Sequence, residues 1–480
     1  MRKLWAKYKG MSVQAKSAIW FALCSILQKG ISFITVPIFT RLLTTEEYGT
    51  YSLYLSWLQI LTIVTSLYLY HGVFNNGMTK FDKDRDVYIS SMQGLTLTIT
   101  AGVFVVYLVA HNYWSELIGL APVFMILMFV EMAVTPALHF WSGRQRFEFK
   151  YKRLVGVTLA KSIANPILGL IMVSFSQEKD IARVASVVIV EVLFCGTIMI
   201  LQYKRGKTIL HIQYWKYALG LAIPLLPHYL SGTILSQGDR VMIDRMVGKS
   251  EVAFYSVAYS IGMLVQIVTT AINNSFTPWM YQKIKANDLT GIKKTVSLLL
   301  VIIGIVALGL MMCSPELVLI FGSEKYASAV YVIPPVAASV FFIFLYNILA
   351  IPQFYFERTK FLAISSIVAA VTNIVLNYIF IKLFGFVAAG YTTLTCYVLY
   401  SFGHYIVSGR VLKECLGGRE LYDKKFILAL SLIMIIIGIG CNFLFDYWYI
   451  RYALIAIICI VAYFKRNLVI GLIKGIRKKA

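Results

Sequence analysis

Two stretches of this chain carry the same pattern: Arg41-Leu-Leu-Thr-Thr-Glu-Glu47-Tyr-Gly-Thr-Tyr51-Ser52 and Arg245-Met-Val-Gly-Lys-Ser-Glu251-Val-Ala-Phe-Tyr255-Ser256. Both read Arg, five residues, Glu, three residues, Tyr-Ser, at an offset of 204 residues. The shared chemistry is that of a helix start. A hydroxyl side chain (Thr44 or Thr45; Ser250) serves as N-cap, a Glu sits in the first turn where backbone N–H groups are unpaired, and a Tyr follows one turn deeper. A weaker echo, Arg144-Gln-Arg146-Phe147 and Arg358-Thr-Lys360-Phe361, recurs at an offset of 214.

The chain around these motifs alternates long uncharged apolar stretches with short links. Spanning about 30 Å of hydrocarbon takes about 20 residues of helix. Fourteen stretches qualify, beginning near Ser17, Gly49, Val87, Ile118, Leu154, Ile181, Tyr217, Glu251, Thr295, Val330, Phe361, Phe386, Phe426 and Trp448. Mean hydropathy of +0.75, 59% hydrophobic residues and 14% charged residues exclude an ordinary soluble domain. The spacing predicts an all-α polytopic membrane protein of about 14 transmembrane helices.

Every second link is rich in Lys and Arg. With both termini on one side, that side holds 34 of the 45 basic residues and the other 9, while Lys29 and Lys161 lie inside spans. Cytoplasmic loops collect Lys and Arg, so the N and C termini are expected in the cytoplasm. A net charge of +23 suggests nucleic acid, but its dispersal over separate links does not form one basic face, and no nucleic-acid partner is expected. The basic start, Met1 to Trp20, reads as the lead into an uncleaved first helix. The end, Arg466 to Ala480, reads as a basic amphipathic helix on the membrane surface or as a solvated tail. Seven scattered cysteines without CxxC imply neither a disulfide framework nor a metal site.

Six spans separate the two repeat motifs, an even number, so both copies enter the membrane in the same direction. That predicts two pseudo-symmetric six-helix lobes related as a parallel repeat, 1–205 (helices 1–6) and 206–412 (helices 7–12). Segment 413–480 adds helices 13–14 and the tail. Paired lobes of this kind suit alternating access.

The same motifs resemble those of a known family. Thr40-Arg41-Leu-Leu-Thr44-Thr45-Glu46-Glu47-Tyr48-Gly49-Thr50-Tyr51 is similar to the first loop of bacterial polysaccharide exporters. Gly238-Asp239-Arg240-Val-Met-Ile-Asp244-Arg245, with Val252-Ala253-Phe254-Tyr255, resembles their seventh-helix signature, and Glu316-Leu-Val-Leu-Ile-Phe321-Gly322-Ser-Glu324-Lys-Tyr326 the loop after their ninth. Their order over the whole chain resembles Wzx-type lipid-linked oligosaccharide flippases of the multidrug/oligosaccharidyl-lipid/polysaccharide exporter superfamily. The resemblance implies transfer of an undecaprenyl-pyrophosphate-linked oligosaccharide from the cytoplasmic to the periplasmic leaflet of a bacterial inner membrane. Such proteins serve O-antigen or capsule assembly beside polymerase and chain-length proteins.

A pyrophosphate crossing hydrocarbon needs buried positive charge. Lys29 lies midway along the first span with Ser25 and Ser32 on its helical face; Lys161 lies in the fifth with Thr158 and Asn165. Each either faces an aqueous cavity or forms an ion pair, with Glu131 in the fourth span and Glu191 in the sixth as partners. Those two carboxyls, together with Asp239, are also candidates for H⁺ or Na⁺ coupling; no other cofactor is expected. Arg41, Arg240 and Arg245 are placed at the outer mouth beside Asp239 and Asp244, as phosphate ligands or as a salt-bridged latch. Pro224 and Pro227 predict a kinked, gating seventh helix. Ser256, Ser260, Gln266, Thr270 and Asn273 form a polar stripe on the eighth. The many Tyr and Phe residues offer stacking faces for sugar, without indicating which are used.

Two other readings stay open. One is a multidrug or metabolite antiporter of the same superfamily. The other, from a different class, is a membrane-embedded polysaccharide polymerase or ligase. No constellation for catalysis is visible: the links are short, and Val247-Gly248-Lys249-Ser250 lacks the first Gly of a nucleotide-binding loop, so no enzyme is expected.

Overall fold

The apolar stretches all lie on helices. The structure, a computed structural model, describes residues 10–358 and 360–464, and the proposed surface segment Arg466 to Ala480 lies outside the described residues, as do residues 1–9 of the basic start. Among the described residues there is no strand. Among the described residues, ten helices are long and apolar enough to cross a membrane, or eleven if a bent pair counts as one span. The chain is a multi-pass membrane protein. Of the fourteen expected spans, the second and twelfth are helical but more polar than these, and the fourteenth is shorter.

Two compact units divide the chain, residues 1–237 and 238–480. The first contains α1 (Val13–Leu42), α2 (Thr45–Ser66), the short α3 (Val73–Lys80), α4 (Arg85–Val109), the short α5 (His111–Ile118), α6 (Pro122–Phe147) and α7 (Tyr151–Phe175). It continues through α8 (Lys179–Glu191), a π-turn at Val192–Gly196, α9 (Thr197–Gly206) and α10 (Ile212–Ala222). Helix α11 (Leu226–Met246) carries the chain into the second unit. There follow α12 (Lys249–Gly262), α13 (Val265–Lys285), α14 (Ile292–Met312), the short α15 (Ser314–Phe321), α16 (Ile333–Tyr355), α17 (Lys360–Phe384), α18 (Ala388–Leu416), α19 (Lys424–Gly440) and α20 (Trp448–Phe464).

Local chemistry accounts for the breaks. Thr44 caps α2: its side chain accepts from the Glu47 amide, and the Glu47 carboxylate accepts from the Thr44 amide, 2.7 Å away. This reciprocal capping box is the one read from the first motif. The second copy differs. Its N-cap is Gly248, not Ser250, which lies inside α12. Gly248 takes φ +154°, and a Cβ there would meet the Glu251 carboxylate, so the turn depends on glycine. In the seventh span a 3₁₀ turn at Ile223–Leu225 separates α10 from α11, where Pro224 and Pro227 supply no backbone N–H. The eighth span is bent by 41° between α12 and α13.

The core of the second unit is α16. Every residue from Ile333 to Leu345 is buried, the pattern of a helix enclosed on all sides. It packs on α14, α18 and α19, and α19 approaches closely enough that a Cβ on Gly438 would stand 2.9 Å from Ala338. Arg451, 3% exposed, fastens α20 to this unit: it donates to the Met312 carbonyl at 2.7 Å and reaches both oxygens of Glu316 at 3.0 Å. In the first unit α4 and the end of α9 meet through small residues, as membrane helices do when packing rather than water expulsion holds them. A Cβ on Gly206 would lie 2.0 Å from Ser90 Oγ and 2.2 Å from the Asp86 carbonyl oxygen. Nearby, Arg144 bridges Asp86 and Glu148, and Lys150 reaches Glu148 at 2.5 Å. Burial works against the charged form of Glu148, but its hydrogen bonds from Lys150 and Arg144 prevail and hold its carboxyl below the ordinary range.

Gly206→Ala is therefore expected to push α9 off α4 and cost about 1–3 kcal/mol. Gly156→Ala, where the added Cβ meets nothing within 4 Å, is the control. Thermal unfolding of both purified variants in detergent decides; equal midpoints would refute the close crossing.

Candidate functional site

Each unit contains a cluster of charged groups on membrane helices. In the first unit it spans α2, α6, α7 and α8. Lys161 on α7 pairs with Glu191 at the end of α8, Nζ to Oε1 2.5 Å, with side-chain exposures of 20% and 8%. The Cys195 thiol donates to the other Glu191 oxygen at 3.0 Å. Glu131 on α6, equally buried, accepts from the Tyr54 hydroxyl of α2 at 2.7 Å. Lys161, Arg183 and Glu191 all lie within electrostatic range of Glu131. Of the two carboxylates read as partners for lysine, then, Glu191 holds the cation and Glu131 a phenol. A buried charge of this kind persists because its partner is close; alone it would cost several kcal/mol.

Arg183 is the member the sequence reading missed. It stands one turn into α8, close to the start of the sixth apolar stretch, yet it is 4% exposed. Its guanidinium donates to Asn165 Oδ1 at 3.1 Å, Ser186 Oγ at 3.3 Å and Tyr51 Oη at 3.1 Å, and lies 4.0 Å from the ring centre of Phe39. One signal was present: Ser186 follows Arg183 by three residues on the same face, a spacing like that noted around Lys161. Asn165, read as a companion of Lys161, serves Arg183 instead.

Lys29 behaves differently. It is exposed on α1, and among the described residues it makes no hydrogen bond or ion pair. Ser25 and Ser32 turn back to carbonyls of their own helix. The contact between α1 and α7 is made by the neighbouring Gln28, which donates to Ser162 at 3.4 Å. Arg41 is exposed at the end of α1 and donates to the Pro37 carbonyl at 2.8 Å.

The second unit centres on an acid. Asp239 on α11 is fully buried, inside the unit rather than at an open mouth. It accepts from the Tyr255 hydroxyl of α12, from Asn377 Nδ2 of α17 at 2.6 Å and from Thr393 Oγ1 of α18 at 2.8 Å. Asn377 also donates to Asn373 Oδ1 and accepts from Thr392, so the carboxylate sits among hydrogen-bond donors held by a further layer of polar side chains. Arg240, 7% exposed, turns to the other side, where its Nε donates to Ser256 at 3.0 Å and its guanidinium lies 4.5 Å from the Tyr259 ring centre. Arg245 is exposed at the end of α11. In the polar stripe of the eighth span, Ser260 and Thr270 bond to carbonyls one turn back, which leaves Ser256 as the member that meets a charged group.

A family model described as polysaccharide biosynthesis protein matches residues 14–284, more than half of the chain. The chain belongs to this polysaccharide biosynthesis family. A second model, MatE, matches residues 224–379. A protein of the Lsg locus of Haemophilus influenzae is 21% identical over 371 residues, 74% of this chain and 88% of the relative. In fold the chain resembles the lipid II flippase MurJ in an inward closed conformation, with TM-score 0.68 and 14% identity, covering 94% of this chain and all of that one. It also resembles a multidrug resistance MATE transporter of the MOP superfamily in an inward-facing conformation, with TM-score 0.58 and 15% identity, over 85% and 97% of the two chains. The fold is that of these solved structures. In this member of the polysaccharide biosynthesis family the charged clusters occupy membrane helices of both units.

Lys161→Ala is expected to lower stability by about 3–5 kcal/mol, because Glu191 is then left buried without its cation. The double change Lys161→Ala, Glu191→Ala should cost less than the sum of the single changes, read from unfolding midpoints in detergent. Strict additivity would show that the two groups do not act as a pair.

Proposed function

We propose that this protein is a flippase for undecaprenyl-pyrophosphate-linked oligosaccharide repeat units, moving them from the cytoplasmic to the periplasmic leaflet of a bacterial inner membrane. In this reading the transport cycle is alternating access between two six-helix lobes, 1–205 and 206–412, with 413–480 appended, and both termini are cytoplasmic. The observation that carries it is Lys29, a cation midway along a membrane helix that no described residue satisfies. A lysine at that depth calls for an anion or water. The pyrophosphate of a lipid-linked glycan supplies the anion while its tail stays in the bilayer. Membership of the polysaccharide biosynthesis family supports a glycan cargo.

Lys161 contributes differently in this scheme: paired with Glu191, it maintains a charged interior and is available to cargo only when that pair opens. Arg41 and Arg245 occupy equivalent places in the repeat and act at the outer mouth. Arg240, stacked on Tyr259, positions α11 against α12 beside the acid. The 3₁₀ turn at Pro224 and Pro227 is the hinge of the gating helix. Asp239 is the preferred coupling site: its buried carboxylate, with the hydroxyl oxygens of Tyr255 and Thr393 beside it, offers oxygen donors of the kind a small cation such as Na⁺ takes, and a proton would neutralise it equally. Glu131 and Glu191 remain the coupling candidates of the first unit.

In a strain lacking this protein, the lipid-linked repeat unit should accumulate at the cytoplasmic leaflet and return to normal on complementation. Lys29→Ala should rescue at least ten-fold less well at equal protein level, and undiminished rescue would refute the cationic role. Units that reach the periplasm unpolymerised would favour a polymerase, and accumulation of drugs in place of glycolipid a multidrug antiporter. Asp239→Asn should abolish the dependence of transport in vesicles on an imposed Na⁺ or H⁺ gradient. Unchanged gradient dependence would remove Asp239 from the coupling step.

A further inference from the structure

The sequence offered many aromatic residues and no means of choosing among them; the first unit gathers a distinct set. After α2 the backbone turns sharply through Leu67 at φ +46°, Tyr68 at φ +52° and Gly72 at φ +64°. Two consecutive residues with side chains in the left-handed region are costly, and such strain is retained where the structure needs the groups it displays. The turn is held by its own backbone, Leu69 N–H to Ser66 O at 3.1 Å, His71 N–H to Tyr68 O at 2.9 Å and Phe74 N–H to Leu69 O at 3.0 Å.

What it displays is a platform of rings. Tyr68 stacks on His71 with centres 4.1 Å apart and lies 5.0 Å from Tyr229 of α11. Tyr70 stacks on His139 of α6 at 4.2 Å. Behind them Phe74, Tyr88 and Phe140 form a buried core that fixes the floor. The platform itself is open: His71 and His139 are exposed, and Tyr68, Tyr70 and Tyr229 are partly so. His139 is one turn from Thr135 and two from Glu131 on the same face of α6, and it lies within electrostatic range of Lys161. Arg146 is exposed about two turns further along α6, acts electrostatically on both His71 and His139, and its side chain makes no hydrogen bond or ion pair among the described residues.

We infer that Tyr68, Tyr70, His71, His139 and Tyr229 form the saccharide-binding platform of this protein, with Arg146 at its rim beside the phosphate of the same ligand. A pyranose presents C–H bonds of partial positive charge on one face and hydroxyls around its edge. Aromatic faces carry the complementary negative potential, and imidazole edges supply donors and acceptors for the hydroxyls. A hydrocarbon ligand would use the rings but has no need of two histidines and an unpaired arginine. The position fits loading: the turn leads into the basic link of Lys80, Lys83 and Arg85, and Arg146 belongs to the next basic link, the end assigned to the cytoplasm. The inference rests on the flippase reading and adds where the glycan is first gripped.

The test uses the full-length protein in nanodiscs and two probes. One is the lipid-linked oligosaccharide extracted from a strain lacking this protein, the other bare undecaprenyl pyrophosphate. Tyr70→Leu with Tyr229→Leu should weaken glycolipid binding on the order of ten-fold, as expected for two lost stacking faces, and leave bare undecaprenyl pyrophosphate unchanged. Tyr70→Phe with Tyr229→Phe should bind both as wild type does. Unaltered glycolipid binding in the leucine variant, an equal loss for both probes, or an equal loss in the phenylalanine variant would each overturn the platform. So would a wild-type protein that does not distinguish the probes. A wild-type protein that binds neither would instead overturn the flippase reading beneath it.

Discussion

A charge inside hydrocarbon must be answered by another charge, by a set of hydrogen bonds or by water, and the interior of this protein is arranged around that requirement. Lys161 is answered by Glu191, Glu131 by Tyr54, Arg183 by Asn165, Ser186, Tyr51 and the ring of Phe39, and Asp239 by Tyr255, Asn377 and Thr393. Apart from Ser186, which shares α8 with Arg183, each answer comes from a different helix and so also fixes one helix against another. In the first unit these bonds tie α2 and α6, α7 and α8, and α8 and α2. In the second, one carboxylate joins α11, α12, α17 and α18. Without a hydrophobic drive between membrane helices, such polar ties and the close crossings at Gly206 and Gly438 hold the bundle.

The same requirement separates structural charge from functional charge. A satisfied group contributes position, whereas an unsatisfied one contributes affinity for whatever arrives. Lys29 and Arg146 stand apart from Lys161, Arg183 and Arg451 on this ground. The two exposed cations lie on α1 and at the end of α6 in the first unit, and in the proposed cycle they meet an anionic glycolipid at successive depths. The aromatic turn after α2 adds a surface for uncharged sugar, which no arrangement of lysines could provide.

Much of the fold was legible in the chain because its causes are local. Hydropathy marks helices that must pair their own backbone groups in lipid, and all fourteen apolar stretches are helical. The capping box at Thr44 and Glu47 is a four-residue interaction, and the break at Pro224 follows from a missing amide, so both could be read directly. The second motif was read less well. Its letters match the first, but Gly248 takes a conformation that only glycine enters freely and moves the cap away from Ser250. Arg183 escaped notice because position near the end of an apolar stretch does not reveal which way a side chain turns.

Sequence alone determined that this is a multi-pass helical membrane protein, that its apolar stretches are helical, and that lysine and glutamate lie within its spans. Tertiary structure decided which of those charges are already paired, placed Asp239 in the interior, exposed Arg183 as part of the buried network and gathered Tyr68, Tyr70, His71, His139 and Tyr229 on one surface. The reason is one of range. Burial and capping depend on neighbours within a turn or two of helix, whereas pairing and stacking depend on partners as much as 161 residues away, as for Tyr68 and Tyr229, and only packing brings those within a few ångströms.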